Sequence, residues 1–235
     1  MERRDFVGAC ALGALSLTST QAFSAKDMQA QHYARSLLVD PLGNPFKLSA
    51  LKAGENYVFH YPFETTPCFL LNLGKPTAKQ VRLSTHDGQA YEWQGGVGPK
   101  RSVVAFSAIC SHKMTYPTKQ VSFISFQPNA TGMTPDSAGI IHCCSDHSRY
   151  DPVQGAQVIS GPAPQPLCAI LLEHDAKADT LHAVGTLGGE MFRDFFAKFE
   201  MQLVLNHGGK EPRRRTDTKS IVEPLTRFCK QAINC

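Results

Sequence analysis

The sequence predicts an all-β chain, an antiparallel β sandwich or small barrel, followed by one helix and a basic tail. Short apolar runs rich in strand formers alternate with Pro/Gly/Asn/Asp clusters, and a helical repeat appears only after Gly188-Gly189. At 235 residues and 42% hydrophobic composition there is room for a leader, one packed core and a tail. We divide the chain into a leader at 1–25, a main domain at 26–205 and a tail at 206–235.

The leader pairs Arg3-Arg4 with twenty uncharged residues from Phe6 to Ala25, which resembles a twin-arginine export signal. Its apolar part, Phe6 to Leu17, is shorter than the ~20 residues a membrane span needs. Ala22-Phe23-Ser24 offers a cleavage site, and an uncleaved inner-membrane anchor is the alternative. Both place the protein in the periplasm. Val7-Gly8-Ala9-Cys10 has too short an apolar stretch before its Cys to be a lipidation box.

Arg35–Asp40, Tyr57–Phe59 and Pro67–Asn72 read as strands, with a turn at Pro41–Pro45 and Cys68 a core thiol. Tyr91–Lys100 reads as a loop. Its Gly95-Gly96-Val97-Gly98 lacks the Lys-Ser/Thr and the helix of a phosphate-binding loop. Val103–Ser107 is a strand that delivers Cys110, Val121–Phe126 another, and Gln127–Ala138 an exposed loop. Ile140-Ile141 leads into Cys143, and His142 is a strand-end histidine. Cys168–Glu173 and Thr180–Val184 flank the turn residues Asp175–Asp179 as a hairpin. Met191, Phe192, Phe195, Phe196 and Phe199 recur at helical spacing. The tail holds seven Lys/Arg against three Asp/Glu, whereas residues 26–205 hold fifteen of each sign. That small, localised excess gives no reason to expect a nucleic-acid partner, and Arg213-Arg214-Arg215 reads as a solvated run. Ile221–Cys235 can form a short amphipathic helix, with Cys229 and Cys235 able to pair in an oxidising compartment.

The chemistry lies in Cys110-Ser111-His112 and in Cys143-Cys144-Ser145-Asp146-His147. Cys-x-His followed by Cys-x-x-His is either a Cys₂His₂ zinc site or a Rieske [2Fe–2S] centre, in which two Cys hold one iron and two His the other. Each cluster of residues supplies one thiol and one imidazole, so each loop reaches both irons. A single tetrahedral zinc has no need of that interleaving.

These boxes, with Ser148-Arg149-Tyr150-Asp151 and the Gly161-Pro162-Ala163-Pro164 turn, resemble the Rieske domain of quinol-oxidising cytochrome bc complexes over roughly residues 95–170. That family's second box reads Cys-Pro-Cys-His-Gly-Ser-x-Tyr-Asp. The resemblance implies one Rieske-type [2Fe–2S] cluster held by loops at the tip of an antiparallel β fold. Its implied ligands are Cys110, His112, Cys144 and His147, with Cys143 the rival of Cys144. It implies hydroxyl hydrogen bonds to the cluster from Ser148 and Tyr150, and a covering turn of Gly161, Pro162 and Pro164. The register is open: aligning Ser148 and Tyr150 without a gap puts Cys143 and Asp146 at the ligand positions. An Asp would be a hard donor where imidazole is wanted, which favours a one-residue deletion after His147. The family's bracing disulfide is missing, its positions being Thr115 and Asp146 in that register.

The implied function is an exported electron-transfer subunit rather than a self-contained enzyme. It would take electrons from quinol or another upstream donor and pass them to a cytochrome, as part of a membrane complex. The alternative is a soluble Rieske-type ferredoxin serving an oxygenase or a molybdenum oxidoreductase. A Rieske oxygenase itself needs a large second domain for a mononuclear iron, and too little chain follows the β region.

Overall fold

A computed structural model describes residues 29–129 and 138–235. The leader, with its export and cleavage signals, and most of the loop after Gln127 lie outside the described residues. The strands run in chain order as β1 (Gln31–Val39), β2 (Tyr57–His60), β3 (Pro67–Asn72), β4 (Val81–Ser84), β5 (Ala90–Trp93) and β6 (Val103–Ser107). They continue as β7 (Val121–Ser122), β8 (Ile124–Gln127), β9 (Ile140–Cys143), β10 (Ser148–Asp151), β11 (Gln157–Ser160), β12 (Ala169–Asp175) and β13 (Thr180–Leu187). After helix α1 (Met191–Asn206) come β14 (Lys219–Ile221), β15 (Glu223–Pro224), the short helix α2 (Leu225–Phe228) and β16 (Gln231–Ala232).

Eight strands form one sheet in the order β14-β1-β13-β12-β6-β3-β2-β15. β14 and β15 stand at its two edges yet are separated by Val222 alone, which is 1% exposed. Ser220 on β14 donates its hydroxyl to the His60 carbonyl at 2.8 Å, and the His60 amide donates to Ser220 Oγ at 3.2 Å. One tail segment thus ties both edges, and the sheet is nearly a closed barrel. Closure removes the unpaired edges that an open sheet of this size would present.

The period-2 alternation of β3 and β6 builds two cores. Phe69, Leu71, Val104 and Phe106 point to one face, where they pack with Trp93, Ile141, Cys143 and Tyr150. Cys68, Leu70, Val103 and Ala105 point to the other, where Phe192, Phe195 and Phe196 of α1 cover them. The phenylalanine repeat is therefore a docking face, as its spacing predicts. A second sheet, in the order β11-β10-β9-β8, carries the second cysteine box on the first of these cores.

The structure differs from the sequence reading at three elements. Tyr91–Lys100 is not all loop: Ala90–Trp93 pairs with Val81–Ser84, because Tyr91 and Trp93 both turn inward at a spacing of two. Val121–Phe126 is two strands in different sheets, broken where Ser122 Oγ bonds the Ile124 carbonyl at 2.6 Å and Phe123 turns outward. Ile221–Cys235 holds only the four-residue α2; its backbone otherwise pairs with β2 and β7. The hairpin of β12 and β13 forms as expected, with the Asp175 carboxylate accepting the amides of Lys177 and Ala178.

Candidate metal centre

β6 ends three residues before Cys110 and delivers it, fully buried, into the core. The Cys110 amide donates to the Thr115 carbonyl at 2.8 Å and the Met114 amide to the Cys110 carbonyl at 2.9 Å, closing the first box into a compact loop. The second box is the turn between β9 and β10, with Cys143 paired to Ser148 across the ladder. The His147 amide donates to the Cys143 carbonyl at 2.7 Å, and His147 itself is left-handed at φ 60. A left-handed residue closing a tight turn is the position that favours glycine, and the resembled motif has its Gly there.

That geometry fits a hairpin aligned to the motif without a gap. Cys144 forms a disulfide with Cys235, across a sequence separation of 91. A sulfur in a disulfide has no thiolate to offer a metal, so with this bond in place the thiol open to one is Cys143, the rival of Cys144 in the sequence reading. Cys143 is the free, fully buried thiol beside Cys110. The pairing also differs from the Cys229–Cys235 bond the tail suggests: Cys229 is free and buried. Sequence spacing carries no signal of such a pairing.

Three donor atoms, from Cys110, Cys143 and Asp146, all lie within 4.8 Å of one another. Asp146 Oδ2 is 3.3 Å from Cys110 Sγ and 2.9 Å from His112 Nδ1, so His112 joins the group through the carboxylate. His147 is exposed and instead shares a cluster with His142 and Cys235, its ring centroid 5.9 Å from that of His142. His142 is the expected strand-end histidine on β9, buried against the tail.

The surroundings favour an anion on one of the two sulfurs, Cys110. The bond between the two thiols acts against burial, with help from Tyr150, and brings Cys110 down to about 7; the same bond and burial push Cys143 up. Burial raises the Asp146 carboxyl, but the Ser148 amide and the His112 ring outweigh it and hold it at about 2. Tyr150 Oη lies 3.2 Å from Cys110 Sγ and accepts the Ser111 amide at 3.2 Å. Ser148 Oγ is buried beside the Asp146 carboxylate and makes no well-formed hydrogen bond, which leaves its hydroxyl available to a group bound in the site. Two facing thiols, an imidazole and an orphaned hydroxyl are what a cluster with sulfide bridges needs.

The Gly161 turn packs directly on this hairpin. A Cβ at Gly161 would meet the His147 carbonyl oxygen and Ser148 Cα at 2.6 Å each, at φ +89, so only glycine fits. Pro162 and Pro164 stand exposed beyond it. Ser111 Oγ donates to the Gln165 carbonyl at 2.6 Å, tying the turn to the first box. That anchor had no signature in the sequence.

No protein-family model matches the chain. Iodate reductase subunit IdrB of Denitromonas iodatirespirans is 30% identical over 195 residues, covering 80% of this chain and 82% of that protein. The IdrB of Pseudomonas sp. (strain SCT) is 29% identical over 193 residues, covering 80% of each. The crystal structure of the soluble domain of Rieske protein II (soxF) from Sulfolobus acidocaldarius aligns with TM-score 0.45 and 24% identity, over 66% of this chain and 78% of that one. The chain belongs to the family of the iodate reductase subunit IdrB.

Proposed function

We propose that this protein is the exported, one-electron-carrying subunit of a respiratory reductase complex. The observation that carries the reading is the pair of facing buried thiols, Cys110 and Cys143, with the Tyr150 hydroxyl on one of them. In this reading both thiols and His112 hold the cluster, which when bound takes up and returns one electron. Tyr150 and Ser148 direct their hydroxyls at cluster sulfur, stabilising the more negative reduced state and raising the potential. The turn of Gly161, Pro162 and Pro164 covers the cluster and limits its contact with water.

The relatives are named as subunits of a reductase. We therefore assign this chain a larger catalytic partner, and a quinol or cytochrome at the other end of its electron path. The segment 1–25 sends it to the periplasm as a cleaved signal or a retained anchor. Among the described residues no helix is long and apolar enough to cross a membrane.

The protein purified from its native host should contain two iron and two sulfide per chain and show a reduced [2Fe–2S] electron paramagnetic resonance signal. It should also co-purify with a larger subunit. Replacing Cys110 or Cys143 with Ser should abolish the signal. A colourless protein with one zinc would overturn the reading.

A further inference from the structure

We propose that the fourth ligand of the cluster is the carboxylate of Asp146 in place of a second imidazole. The site would then consist of two thiolates, one imidazole and one carboxylate. This deepens the electron-carrier reading and rests on it.

Position is the first argument. Cys143 is the free thiol of the hairpin, Cys144 is bonded to Cys235, and Ser148 and Tyr150 keep their places without a gap. Three residues after Cys143, where Cys-x-x-His has its imidazole, stands Asp146. Direction is the second. The Asp146 side chain is 2% exposed and aims at the centre of the site, 3.3 Å from Cys110 Sγ. The residues on either side of it, Ser145 and His147, face solvent. His147 is held left-handed at the end of the turn and its ring sits with His142 and Cys235.

The pairing of donors is the third argument. The Cys110 and Cys143 sulfurs lie within 4.8 Å of each other and of an Asp146 oxygen, and the carboxylate and the His112 ring are in contact at 2.9 Å. The carboxylate thus stands between the Cys110 sulfur, 3.3 Å from it, and the His112 ring, where an oxygen donor can share an iron with that imidazole while the two sulfurs hold the other. Charge is the fourth. Once both thiols ionise, a buried carboxylate beside them is repelled unless cations lie between them. Two ferric ions supply that compensation, and a hard oxygen donor suits ferric iron.

The charge balance has a consequence. An oxidised core of two ferric ions and two sulfides carries two positive charges, which two thiolates and two neutral imidazoles bring to zero. Replacing one imidazole by a carboxylate leaves the oxidised centre at minus one and the reduced centre at minus two. The potential must then lie below that of the same site with two imidazoles.

Pulsed electron paramagnetic resonance of the reduced holoprotein, labelled with ¹⁵N-histidine, counts the coordinated ring nitrogens. We expect one in the native protein, two in Asp146→His with a higher potential, and an unchanged spectrum in His147→Ala. Two nitrogens in the native protein, or one lost in His147→Ala, would overturn the carboxylate while leaving the cluster itself in place. Absence of iron and sulfide from the native protein would instead sink the electron-carrier reading, and this one with it.

Discussion

Replacing Cys235 with Ser removes the one covalent link between the C-terminus and the second cysteine box. The link closes a sequence separation of 91. For a loop of that length the loss of unfolded-chain entropy is about 15 cal/mol/K, or about 4.6 kcal/mol at 25 °C. Ordinary folded-state strain reduces that figure, so it is an upper value. In a chain of this size each kcal/mol moves the midpoint by roughly 2–4 °C. The holoprotein without the bond should therefore melt roughly 10–15 °C lower under non-reducing conditions. Cys144→Ser should show the same shift, and both variants should keep their iron, because two sulfurs bonded to each other have no thiolate to give a metal. A shift under about 2 °C would refute the entropic argument. Loss of iron in Cys144→Ser alone would refute the register of the hairpin.

Tyr150→Phe removes the hydroxyl that lies 3.2 Å from Cys110 Sγ. A hydrogen bond to an ionised group contributes somewhat more than 1 kcal/mol, so the potential should fall by on the order of 50 mV, read by film voltammetry. An unchanged potential would mean the hydroxyl does not face the cluster. Burial lowers His60 from 6.5 to about 4, with His207 and Lys119 adding to the effect. A depressed histidine adds stability that is present above 6.5 and lost as pH falls toward 4, at most about 3 kcal/mol. Denaturant titrations at pH 7 and 4 should show that extra loss in the native protein and not in His60→Gln.

The fold was legible because its signals are local and repeated. β3 was read with its bounds intact, and the Phe repeat of α1 needed only a period of 3.6. β5 was missed because a Gly-rich run follows it at once and drew attention from Tyr91 and Trp93, two inward aromatics at strand spacing. The tail was misread because a stretch of alternating charge and apolar residues suits a helix or an edge strand equally. Only the two open sheet edges decide, and those are tertiary. At the site, Cys110, His112, Ser148 and Tyr150 were visible as motif positions. The choice between Cys143 and Cys144 turned on a preference for imidazole over carboxylate, and that chemical prior outweighed the simpler gapless alignment. Cys235, which bonds Cys144 in the structure, lies ninety-one positions from it and belongs to no motif.

The relocated disulfide changes what holds the two boxes to each other. In the resembled family the bridge joins the first box to the second, so their spacing is covalent. Here the bond fastens the second box to the C-terminus, beside β16 and its pairing with β7. The first box is held to the second by Tyr150, whose hydroxyl meets Cys110 Sγ, the Ser111 amide and Ser111 Oγ at 3.2–3.3 Å. The contact of His112 with Asp146 adds to this. All of these are non-covalent, and each includes a donor atom of the cluster or a neighbour of one. The first box therefore depends on hydrogen bonds, among them that of Ser111 to the Gln165 carbonyl, where the second has a covalent anchor. That asymmetry gives the exposed edge of the site to His112, whose ring is 34% exposed while Cys110, Cys143 and the Asp146 carboxylate are covered.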